Sequence, residues 1–119
     1  MARFNRILLT GVVFSALSVP ALSHSSKEAT IPEDGAVVAT VDTLQMTFDA
    51  PMRITAISLS SDAGDVPLTR EADMDPVTTF RATPSAELSD GTYEVEWRGL
   101  SADGHPMRGV FRFTVSAPD

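Results

Sequence analysis

Three side chains carry the coordination chemistry open to this chain: His24, Asp103 and His105, the first and last being its two histidines. His24 directly follows Ala21-Leu22-Ser23, a small-x-small cleavage pattern. Before that lie a basic start at Arg3 and Arg6 and a largely apolar run from Ile7 to Val19. Residues 1–23 therefore read as a cleaved secretory signal peptide, which makes His24 the first residue of the mature protein. An N-terminal histidine offers an α-amine and an imidazole that together chelate one ion. Asp103 and His105 stand two apart; in an extended segment they share a face, with Cα atoms about 6.5 Å apart. Nitrogen donors with a carboxylate suit Cu(II) better than magnesium or calcium, and the affinity order places copper above zinc. The plain alternative is an Asp-Gly turn and a terminal histidine with no role.

Composition narrows the chemistry further. The chain has no cysteine, so disulfides and thiolate ligands are excluded. After the signal its methionines are Met46, Met52, Met74 and Met107. Met46 falls in an apolar stripe and reads as core. The others are scattered, so no thioether cluster for Cu(I) is expected. All sixteen acids lie beyond residue 23, and the piece from His24 onward carries a net charge of −9. That charge argues against nucleic acid and anionic membranes as partners and is compatible with small cations. The first apolar stretch is interrupted by Thr10, Gly11, Ser15 and Ser18, and no second one follows, so no stable membrane insertion is expected after cleavage. No nucleophile elbow, phosphate loop or zinc-protease helix motif is present, and the chain does not read as an enzyme.

The elements that must position these residues are strands. Leu44, Met46 and Phe48 alternate with polar neighbours, as do Ile57 and Leu59, then Tyr93, Val95 and Trp97, then Phe111, Phe113 and Val115. Period two over five to seven residues marks half-buried strands. Breakers fall at Pro32–Gly35, Asp49–Pro51, Ser61–Asp65, Asp73–Pro76, Ser89–Gly91 and Asp103–Pro106. Strands this short and turns this frequent indicate an antiparallel sandwich or barrel. Only Arg70–Met74 suggests a single helical turn. The division expected is a signal peptide over 1–23 and one domain over 24–119, a length that suits one modest core.

Five segments follow one another in an order that resembles the CopC family of periplasmic copper-binding, copper-resistance proteins. They are Pro32-Glu33-Asp34-Gly35-Ala36, Met46-Thr47-Phe48, Gly91-Thr92-Tyr93-Glu94-Val95-Glu96-Trp97-Arg98, Ser101-Ala102-Asp103-Gly104-His105-Pro106 and Gly109 to Val115. The resemblance covers nearly all of residues 24–115. It implies an all-β, small Greek-key, immunoglobulin-like antiparallel β-sandwich of about seven strands. It also implies one Cu(II) ion per chain, held by the amine and imidazole of His24 with Asp103 and His105. Where some relatives carry a methionine-rich Cu(I) segment, this chain has Ser60-Ser61-Asp62-Ala63-Gly64-Asp65. Where some have Phe-Ser-Glu, it has Phe48-Asp49-Ala50.

The expectation is thus a monomeric periplasmic protein that sequesters Cu(II) or delivers it to an inner-membrane copper transporter. One rival is a copper monooxygenase-type enzyme built on the same N-terminal histidine chelate. Another is a metal-free sandwich serving adhesion or assembly.

Overall fold

A computed structural model describes residues 28–118. These residues form eight strands: β1 (Ala29–Ile31), β2 (Ala36–Val38), β3 (Leu44–Ser61), β4 (Gly64–Val66), β5 (Leu68–Arg70), β6 (Val77–Pro84), β7 (Gly91–Leu100) and β8 (Pro106–Val115). The first half of β3 lies between β1 and β6, and β5 follows β6 at the far edge. The second half of β3 lies between β4 and β7, followed by β8 and then β2. One long strand therefore serves both layers of a sandwich.

Alternation produces this arrangement. Leu44, Met46 and Phe48 bury on one side of β3, and Tyr93, Val95 and Trp97 do so on β7. Phe111, Phe113 and Val115 complete the core from β8, with Phe80 and Ala82 from β6. Aromatic contacts tie the core together. Phe48 meets Trp97 edge-on at 5.3 Å, and within one sheet Tyr93 stacks on its β8 partner Phe113 at 5.5 Å. The Tyr93 hydroxyl donates to the Ser89 carbonyl at 2.7 Å, which fixes the start of β7.

The sandwich expected from the sequence is present, with four differences. There are eight strands rather than about seven. The sheet is mixed, because β2 pairs with β8 in parallel through Ala36↔Phe113 and Val38↔Val115. Asp49–Pro51 does not end a strand; it forms an exposed irregularity where the pairing of β3 with β6 shifts register between Thr47 and Met52. Three extra residues, a proline among or beside them, are tolerated there because the segment faces solvent, as at a bulge. Arg70–Met74 is not helical. Its backbone is held by the Arg70 guanidinium, which donates to the carbonyls of Ala72 (3.2 Å) and Asp73 (2.6 Å).

Candidate metal centre

β7 and β8 are ten-residue strands paired without a break from Gly91↔Val115 to Leu100↔Pro106. Residues 101–105 close this hairpin at its tip. The longest unbroken strand pairing among the described residues thus aims one short loop, and that loop carries Asp103 and His105.

The loop is a tight turn rather than the extended segment that an i, i+2 reading assumes. Gly104 N–H donates to the Ser101 carbonyl, and Ser101 N–H donates to the His105 carbonyl, both at 2.9 Å. Gly104 adopts φ +84°, a left-handed conformation that glycine enters without a Cβ penalty. Reversing the chain here swings both side chains together. His105 Nδ1 lies 2.8 Å from Asp103 Oδ2.

Ser101 organises the turn and was not singled out in the sequence. Its Oγ accepts from His105 N–H at 3.1 Å and donates to Asp103 Oδ1 in a short bond. The signal was available, since a serine opening an Asp-Gly turn commonly bonds the backbone a few residues on. The Ser101 hydroxyl, with His105 second, holds the Asp103 carboxyl down at about 2. The side chains of His105 and Asp103 remain 75% and 68% exposed. An ionised carboxylate and an imidazole nitrogen therefore face solvent side by side.

Their spacing has a coordination meaning. Two ligands about 2.0 Å from a metal and at right angles to each other stand about 2.8 Å apart. Nδ1 and Oδ2 stand at that separation through an Nδ1–H···Oδ2 hydrogen bond, whose proton a bound metal ion would have to displace. Among the described residues no group of three histidine, aspartate or glutamate side chains converges, so this turn supplies two donors and no more. His24, the remaining expected ligand, lies outside the described residues.

The methionines divide as packing demands. Met46 and Met52 are core residues, each 1% exposed, and Met107 is half-buried against that core. Met74 is exposed on its own. Met46 was expected in the core; Met52, read in the sequence only as one of the scattered methionines, joins it. It shares the even parity of Leu44, Met46 and Phe48 along β3, which carries it to the buried side.

The fold places the chain among small β-sandwich proteins, and the carboxylate–imidazole pair at one hairpin tip is its distinguishing surface feature. The CopC domain model matches residues 27–116, and the chain belongs to that family. It is 30% identical to the copper resistance protein C of Xanthomonas campestris pv. juglandis, over 97% of this chain and 99% of that one. It is 26% identical to the copper resistance protein C of Escherichia coli, again over 97% and 99%. The solved structure of PcoC, a copper resistance protein from Escherichia coli, superposes with a TM-score of 0.64 at 26% identity. That match covers 76% of this chain and 98% of PcoC.

Proposed function

We propose that this protein is a periplasmic Cu(II) carrier that binds one ion per chain and takes part in copper resistance by sequestering the ion or passing it to an inner-membrane transporter. Residues 1–23 act as the cleaved leader. The amine and imidazole of His24 supply two ligands, and Asp103 with His105 supplies two more. The domain works as a monomer and performs no turnover. The observation that carries this reading is the 2.8 Å separation of His105 Nδ1 and Asp103 Oδ2 at an exposed, hydrogen-bonded turn. Membership of a family whose named relatives are copper resistance proteins supports the choice of metal. The absence of cysteine and of a methionine run favours the oxidised ion.

The test uses the free amine. Mass spectrometry of the secreted protein should find His24 at the terminus and one copper per chain after loading. A version with a single residue placed before His24 converts that amine into an amide, and competition assays should show much weaker Cu(II) binding. Equal affinity of the two forms would overturn the chelate.

A further inference from the structure

Two arginines on the solvent face of the β7–β8 hairpin are not used by the fold. The described residues include six arginines. Arg53 donates to the Met74 carbonyl, Arg70 to the carbonyls of Ala72 and Asp73, Arg81 to Gln45, and Arg112 to Glu94. Arg98 and Arg108 meet no carboxylate within ion-pair distance among the described residues. Residues 1–27 contain no aspartate or glutamate that could serve. The two arginines stand directly opposite each other in the register of β7 and β8, and both are exposed. Like charges so placed oppose folding. Glu96, two residues along β7 and opposite Val110, closes on neither of them. A pair that opposes folding and makes no ion pair within the chain has its use outside the chain.

The pair lies close to the metal turn. Leu100↔Pro106 is the last pairing before Ser101, and Arg98↔Arg108 comes two residues further down the hairpin, about 7 Å along the strands. Leu100 and Val110 flank it on the same face, 36% and 48% exposed. A groove of about 540 Å³ crosses this face, and Ala56 and Ser58 of β3 share its lining with Arg98, Arg108 and Val110. Two planar guanidinium forks bordered by small and apolar side chains suit carboxylates presented on an extended peptide. Arginine is also among the residues that carry most of the binding energy at protein interfaces. We propose that this face is the docking surface for the protein that receives the copper, and that its occupant is an acidic segment whose carboxylates pair with Arg98 and Arg108 beside the metal turn. This rests on the reading of the protein as a carrier. An anionic membrane is the poorer occupant, because the net charge of −9 from His24 onward is repelled by it.

The test titrates the metal-free protein starting at His24 with hexaglutamate and follows the arginine Nε–H resonances. Those of Arg98 and Arg108 should move while those of Arg53, Arg81 and Arg112 stay. Vesicles of phosphatidylglycerol should move none of them. Arg98→Glu turns the like pair into an opposed one. It should bind the peptide about tenfold more weakly, melt about 2–5 °C higher and hold Cu(II) as wild type does. The docking surface is overturned if the peptide moves nothing or moves all the arginines alike, if Arg98→Glu binds it unchanged, or if only the vesicles act. A lower melting temperature in Arg98→Glu would reveal a contact within the chain and overturn it too. In the cells that make the protein, Arg98→Glu should reduce copper tolerance with Cu(II) affinity intact. Wild-type tolerance in that variant, with sensitivity in the form carrying one residue before His24, leaves the chelate standing and removes the docking surface. Wild-type tolerance and affinity in both variants removes the carrier reading itself.

Discussion

At the scale of single residues, Ser101, Asp103 and His105 form one hydrogen-bonded unit. Because the Asp103 carboxyl is lowered to about 2 from an ordinary value of 3.8, the sign of its pH effect is set. The folded turn favours the charged form, so its contribution is complete above about pH 4 and is lost as pH falls toward 2. Asp103 therefore stays ionised across the range in which amine and imidazole ligands gain protons, for which reference values are about 7.7–8.0 and 6.5. Copper release between pH 7 and 5 should then follow the nitrogen ligands. Asp103→Asn should lower affinity and move the release midpoint to higher pH without adding a proton to the release step, as read by electron paramagnetic resonance across a pH series. Ser101→Ala should raise the Asp103 pKa from about 2 toward 3.8, which carboxyl-carbon NMR titration reports directly. A pKa still at about 2 in that variant would mean that His105 alone holds the charge. The Asp-Gly-His motif was read from the chain, whereas Ser101 was passed over although a serine opening an Asp-Gly turn signals such a role; what spacing alone does not specify is the φ value at Gly104 that closes the turn.

At the scale of elements, the alternation in β7 and β8 was legible because each strand buries one face and bares the other. The apolar stripes of both strands could be read, but not the extension of β8 back to Pro106, which had been read as a breaker. β3 was harder. Its apolar residues Leu44, Met46 and Phe48 share a parity that Met52 and Ile54 resume only after the bulge, and Pro51 looks like an end to any strand. A bulge with proline on its exposed side mimics a turn in sequence, so one strand was read as two. The short parallel strand β2 was also invisible, since three residues carry no periodicity. The inward turn of Met52 has a measurable cost. With 1% of its surface exposed, Met52→Ala should destabilise the fold by about 2–5 kcal/mol in denaturant unfolding. Met74→Ala, on an exposed residue, should change it by less than about 0.5 kcal/mol. Equal effects from the two substitutions would contradict the packing described for β3.

At the scale of the whole molecule, the proposed site would link metal binding to folding. An ion held, as proposed, by His24 together with Asp103 and His105 would bridge distant parts of the domain and be bound only when the sandwich exists. At a free Cu(II) concentration one hundred times the dissociation constant, stabilisation is about 2.7 kcal/mol. For a domain of this size that corresponds to a rise in melting temperature of about 10–20 °C. Scanning calorimetry with and without Cu(II) should show it, and the form extended before His24 should show little of it. A wild-type melting point indifferent to copper would mean that the ion does not bridge folded elements. The sandwich has another property at this scale, set by where its shortest strands lie. Its four outer positions are taken by β1, β5, β4 and β2, each three residues long. Where β4 stops short of covering β3, the Arg70 guanidinium donates to the Ile54 carbonyl and lies 5.1 Å from the Phe80 ring. Each of these outermost strands thus offers only a few free backbone groups, and at Ile54 a charged side chain takes the place of a paired neighbour. Another extended polypeptide finds only three-residue rails on these outermost strands, which limits stacking into fibres.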